Sequence, residues 1–123
     1  MGGSVSGTPE GLRESMKKAT TEMLILFLLR HKKMYTYEMM AAIDDLSSGR
    51  VTFNTIYQAI YRLQGFAYVE ECGKELSESN RMRIYYSITD AGREYYKGLV
   101  QQFRNYVAAV EDILAQDGNL DLD

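Results

Sequence analysis

Val51-Thr52-Phe53-Asn54-Thr55-Ile56-Tyr57-Gln58-Ala59-Ile60-Tyr61-Arg62-Leu63 contains no acidic residue, in a chain that carries 17 of them. Ile56, Ile60 and Leu63 fall at i, i+4 and i+7, the spacing of a stripe that a short helix buries. The opposite face presents Asn54, Thr55, Tyr57, Gln58, Tyr61 and Arg62: hydrogen-bonding and stacking groups, one positive charge and no negative one. Phosphate repels Asp and Glu, so this face suits the edge of a nucleic acid. Thr52 or Asn54 is expected to cap the helix.

Two further helices precede this stretch. The first is expected from about Leu12 to His31, with a second half that is apolar on every side and therefore buried on every side. The cluster Arg30, His31, Lys32, Lys33 closes it with the charge that a helix C-terminus favours. The second runs from Tyr35 or Thr36 to Leu46, with Met39, Met40 and Ile43 facing the core. Ser47-Ser48-Gly49 reads as the turn before the third helix, and Gly65 lies just beyond that helix. Two strands follow, at 69–74 and 82–88, joined by a polar loop from Glu75 to Asn80. Thr89-Asp90 caps a last helix that should reach Gln116.

In that last helix Tyr96, Leu99, Phe103, Tyr106, Val110 and Ile113 recur at spacings of three and four, and Val100, Val107 and Leu114 recur at sevens. Together they make an apolar face wider than a bare coiled-coil seam. About 27 residues at 1.5 Å each span about 40 Å, more than a domain of this size covers by itself. A second copy of the chain is the expected partner for that face.

Composition bounds the rest. The chain of 123 residues is long enough for one domain with its own core. Residues 1–110 hold all 14 Lys and Arg against 12 Asp and Glu, a balance of +2, while residues 111–123 hold five acids and no Lys or Arg. The acidity thus sits in the tail. Cys72 is the only cysteine, so no internal disulfide forms, which fits a cytoplasmic setting. The longest apolar run, Met23 to Leu29, is too short to cross a bilayer, and no secretory signal is visible. Met1 to Ser6 fits the loose N-myristoylation pattern, with Gly2 and Ser6 in place, and is read as a disordered leader within residues 1–10. An enzyme lacks its parts here. There is no Gly-rich phosphate loop and no paired-ligand motif, and the single histidine, His31, excludes a metal site built on several. No cofactor is expected.

Three motifs resemble a known family, the PadR-like transcriptional regulators. Met34-Tyr35-Thr36-Tyr37-Glu38 resembles the family's Met-Tyr-Gly-Tyr-Glu. Thr55 to Leu63 resembles its Thr-Leu-Tyr-Pro-Ala-Leu-x-Arg-Leu. Arg83-Ile84-Tyr85-Tyr86-Ser87-Ile88-Thr89-Asp90-Ala91-Gly92 resembles its Arg-x-Tyr-Tyr-x-Leu-Thr-x-x-Gly. Their order and spacing match over residues 20–114. Thr36 stands where the family usually has Gly, Phe53 and Gln58 stand where prolines are common, and the wing tip reads Glu78-Ser79-Asn80. The resemblance implies a mostly α, α+β winged helix-turn-helix over residues 11–89, a dimerisation helix over 90–116 and an acidic tail over 117–123. It further implies a homodimer that represses transcription from a pseudo-palindromic operator and is released by an aromatic small molecule.

The residues expected at DNA are Tyr37, Thr52, Asn54, Thr55, Tyr57, Gln58 and Arg62 on the helices, with Lys74, Arg81 and Arg83 on the wing. Asn54 can read adenine or cap the helix, and Arg62 can meet phosphate or stay solvated. Leu99, Phe103, Tyr106, Val107, Val110, Ile113 and Leu114 are the expected dimer face. Tyr96, Phe103 and Tyr106 are the expected ligand contacts. Phe103 matches the position at which a multidrug regulator of the family stacks a Trp on flat drugs. The alternative is a winged-helix module that binds protein instead of DNA.

Overall fold

The computed structural model describes residues 6–122; Gly2 of the myristoylation pattern lies outside them. Four helices and one hairpin follow in the order α1 (Pro9–Leu29), α2 (Thr36–Leu46), α3 (Tyr57–Gly65), β1 (Val69–Leu76), β2 (Met82–Ile88) and α4 (Asp90–Leu114). A 3-10 turn follows at Asp117–Asn119. This is the winged helix-turn-helix with a two-stranded wing and a long last helix that the sequence leads one to expect.

Helix α1 starts three residues before Leu12. The Thr8 side chain accepts from the Gly11 N–H at 3.2 Å, and Pro9 takes the first helical position, where its missing N–H costs nothing. Its second half is the spine of the core. Ile25, Leu26, Leu28 and Leu29 are buried there, and Met39 and Ile43 of α2, Ala59, Ile60 and Leu63 of α3, Val69 of β1 and Tyr86 of β2 pack around them.

Helix α3 begins later than the sequence pattern suggests, at Tyr57. Neither Thr52 nor Asn54 caps it; Ile56 holds the cap position and no side chain bonds the first turn. The reason lies in the core. Phe53 and Ile56 are both buried, and both are reached only if residues 53–56 stay out of the helix. At the far end Gly65 closes the helix, but Ala67 takes the left-handed conformation (φ 62°), and the Tyr68 N–H returns to the Leu63 carbonyl at 2.9 Å.

The hairpin is longer than expected. Glu75 and Leu76 belong to β1, opposite Arg83 and Met82, so the connecting turn is only residues 77–81. Asn80 closes that turn at φ 64°, a conformation its short polar side chain tolerates. Cys72 is an extra residue between Glu71, opposite Tyr86, and Gly73, opposite Tyr85: a β-bulge. Met34 exchanges backbone hydrogen bonds with Tyr86 at 3.2 and 2.9 Å, which fastens the wing to the start of α2.

Helix α4 spans 25 residues, two fewer than expected, with the Thr89 side chain accepting from the Gly92 N–H at 3.0 Å. Gly92 is the only buried residue of α4. A Cβ at this position would fall on the Tyr68 carbonyl oxygen and lie 2.8 Å from Cγ1 of Ile88. Gly98, in the same helix, has open space where a Cβ would go. Gly92→Ala should therefore cost about 2–3 kcal/mol through forced displacement of the helix, whereas Gly98→Ala should be neutral or gain up to about 1 kcal/mol. Urea unfolding monitored by circular dichroism checks the pair; equal midpoints for the two variants would refute the close approach.

Candidate nucleic-acid interface

The loop that leads into α3 is held from three sides. The Ser47 hydroxyl accepts from the Val51 N–H at 2.8 Å, and Lys17 of α1 donates to the Thr52 carbonyl at 2.9 Å. Arg13 of α1 donates to the Arg50 carbonyl. The Thr52 hydroxyl donates to the Asp44 carboxylate at 2.9 Å, so this side chain is engaged within the fold. With Phe53 and Ile56 turned into the core, Asn54 and Thr55 between them are exposed. The buried stripe of α3 is Ala59, Ile60 and Leu63, and its exposed side carries Tyr57, Gln58 and Tyr61, with the Tyr57 and Tyr61 rings 6.4 Å apart.

Beside this surface stands the start of α2. Tyr37 is 64% exposed there. Thr36 is buried, and its hydroxyl lies 3.3 Å from the Tyr57 hydroxyl. The departure from Gly at position 36 thus supplies a polar contact that joins the two helices of the turn unit.

The wing carries three cations, Lys74, Arg81 and Arg83, among four acids, Glu70, Glu71, Glu75 and Glu78. Arg81 is exposed in the turn, where its N–H donates to the Ser77 hydroxyl at 3.1 Å. Arg83 lies over the Tyr35 ring at 4.7 Å, and Tyr35 meets Tyr85 edge-on at 5.3 Å. Lys33 sits over the other ring of this pair, 5.5 Å from the centre of Tyr85. Lys74 is exposed on β1, opposite Ile84. Two nearby acids are engaged: Glu75 accepts from the Tyr85 hydroxyl at 3.2 Å, and Glu38 accepts from the Tyr35 N–H at 3.2 Å and pairs with Lys32 at 3.3 Å. Desolvation, and then the Glu75 charge, raises the Tyr85 pKa above that of an ordinary phenol.

Between wing and helices runs a cleft of about 570 Å³. It brings together Tyr37, Tyr57, Arg81 and Arg83, and adds Tyr35, Thr36, Ser77 and Ser79, which sequence reasoning passed over. Asn54, Thr55, Gln58 and Lys74 stand outside its lining. Arg62 is exposed as they are, but its side chain is engaged within the fold. Its Nε donates to the Glu22 carboxylate of α1 at 2.7 Å. No local pattern joins residues 40 positions apart, and only the fold reveals that pair.

On α4, Leu99 packs partly buried against the core. Tyr96 has the Arg30 guanidinium 4.7 Å over its ring. Val110 is half-buried, while Phe103, Tyr106, Val107, Ile113 and Leu114 are exposed. Phe103 borders a hollow of about 380 Å³ shared with Leu12, Met16 and Val51. Among the described residues no helix is long and apolar enough to cross a membrane, and no three His, Cys, Asp or Glu side chains gather as metal ligands would.

Solved structures share this architecture. A transcriptional regulator from Clostridium thermocellum superposes with a TM-score of 0.72 at 24% identity, over 80% of this chain and 96% of that one. A PadR-like transcriptional regulator from Bacillus cereus gives 0.65 at 26% identity, over 81% and 96%. A PadR family transcription regulator from Clostridium difficile gives 0.61 at 22% identity, over 77% and 98%. No curated protein sequence is significantly similar. The model of the transcriptional regulator PadR-like family matches residues 25–98, from the buried half of α1, through both helices of the turn unit and the wing, into α4. The chain therefore belongs to the PadR-like family of transcriptional regulators.

Proposed function

We propose that this chain acts as a homodimeric repressor that occupies a pseudo-palindromic operator in double-stranded DNA. The observation that carries this reading is the exposed, acid-free surface of Asn54, Thr55, Tyr57, Gln58 and Tyr61 beside a wing that brings Arg81 and Arg83 to the same cleft. No acid occurs anywhere in residues 46–69. In a winged helix the second helix of the turn unit enters the major groove, where Asn54 and Gln58 suit adenine edges. Tyr37, Thr55, Tyr57, Arg81, Arg83 and Lys74 suit the flanking phosphates and sugars. Thr52 contributes through its backbone and its bond to Asp44, which hold the loop in place.

The dimer reading rests on the outer face of α4. Phe103, Tyr106, Val107, Ile113 and Leu114 stand exposed along one helix, and Leu12 and Met16 extend the apolar surface onto α1. A monomer seldom leaves a stripe of this size in water. A two-fold pair would set the two α3 helices against successive major-groove faces, about 34 Å apart. The hollow beside Phe103 offers an aromatic effector a ring to stack on, with Met16 as an adaptable wall. Filling it would alter the pairing of the two subunits and release the operator.

DNA binding should weaken steeply with salt, with log affinity against log salt falling by about 0.9 for each phosphate contacted. Mobility shifts with the chain's own upstream region check this; no retardation at low salt would sink the regulator reading. Tyr57→Ala combined with Asn54→Ala should weaken binding about tenfold or more while leaving the protein folded, the lost contact with Thr36 lowering the unfolding midpoint only slightly. An unchanged affinity would show that another face reads the operator.

Light scattering at micromolar concentration should give twice the 14.1 kDa chain mass. Val107→Glu with Ile113→Glu should reduce it to the chain mass. A wild-type monomer would refute the pairing.

A further inference from the structure

We infer that Glu22 is the positioning residue of the DNA-reading helix: its carboxylate ties α3 to α4, so that the dimerisation helix fixes the angle at which Asn54, Tyr57 and Gln58 are presented. The inference rests on the regulator reading above.

Glu22 lies on α1, the helix on which both α3 and α4 pack. Its two oxygens are divided between them. One accepts from Arg62 Nε of α3 at 2.7 Å, and the other accepts from the Tyr95 hydroxyl of α4 at 3.2 Å. The Glu22 side chain is 22% exposed and Arg62 52%. A half-exposed ion pair of this kind adds little to stability. Its consequence is geometric: a guanidinium in the last turn of α3 and a phenol in the second turn of α4 are held by one planar group.

A second leg joins the same two elements. The Tyr95 ring stacks on Tyr68 with centroids 4.2 Å apart and planes 13° apart. The Tyr68 N–H bonds the Leu63 carbonyl of α3 at 2.9 Å, and the Thr89 hydroxyl at the head of α4 donates to the Ala67 carbonyl at 2.7 Å. The first turns of α4 are therefore fastened to the end of α3 at two places, with Tyr95 taking part in both. Burial, followed by the Glu22 charge, raises the pKa of Tyr95, the direction expected of a phenol packed against a carboxylate. This geometry also accounts for Arg62. Its guanidinium is turned toward α1 and serves DNA binding through the angle of α3, not through a phosphate.

The test uses the full chain and a duplex carrying its own upstream region. Tyr95→Phe keeps the ring and removes the bond; Arg62→Met keeps the stem and removes the charge. Each should weaken DNA binding about threefold to tenfold, with the salt slope unchanged and the unfolding midpoint little moved. The double variant should be no weaker than the weaker single one, because both act through Glu22. A salt slope lowered by about 1 in Arg62→Met would make Arg62 a phosphate contact and overturn the inference. Full additivity, or an unaffected Tyr95→Phe, would overturn it too. A second arm needs no DNA: amide exchange over residues 57–65 should quicken in Tyr95→Phe. If the wild-type chain binds no DNA, the regulator reading falls on its own, and the exchange arm still decides the tie, with unchanged exchange refuting it.

Discussion

A helix of nine residues does not hold together in water, since isolated helices need roughly 12–15 residues to become even marginal. Everything this chain offers to DNA therefore depends on the burial of Ile56, Ala59, Ile60 and Leu63 against the spine of α1. Burying one large aliphatic side chain contributes about 1.5–3 kcal/mol, so these few side chains supply what nine backbone residues cannot. The same contact decides which residues face outward. Because Phe53 and Ile56 are both drawn into the core, Asn54 and Thr55 have no inward course left to them. The surface pattern is a by-product of the apolar one.

That dependence explains what could be read from the sequence. The stripe of α3, the order of elements and the length of α4 all follow from local periodicity, and each was legible. The start of α3 was not. Thr52 and Asn54 are good cap residues by type, but the demand that Phe53 and Ile56 both reach the core outweighs the preference for a side-chain cap. The two extra residues of β1 escaped for a related reason. Glu75 and Leu76 look like loop beside Glu78-Ser79-Asn80, yet cross-strand pairing with Arg83 and Met82 carries them into the ladder.

The candidate site was legible in its composition and illegible in its connections. Tyr37, Tyr57, Arg81 and Arg83 do meet around one cleft, as their types suggest. Tyr35, Thr36 and the two serines of the wing turn complete it; Tyr35 and Thr36 stand in a family motif, yet nothing in their types sets them apart as cleft residues. Arg62 shares its face with Tyr57, Gln58 and Tyr61 by spacing, but its partner lies on a helix 40 residues earlier. Likewise Glu22 meets Tyr95 across 73 residues. Contacts at such separations are set by how helices cross, which periodicity does not encode.

The bulge at Cys72 bears on how charge is distributed over the hairpin. In an unbroken strand, Glu71, Gly73 and Glu75 would share one side and Cys72 and Lys74 the other. The inserted residue reverses that parity from Gly73 onward. Lys74 and Leu76 come into phase with Met82, Ile84 and Tyr86, three of the residues that border the cleft, while Glu75 is sent to the side of Tyr85 and Arg83. One surplus amino acid thus decides which of two adjoining residues shares the side of Ile84 and Tyr86: with the bulge it is Lys74, and without it Glu75 would stand there beside Glu71.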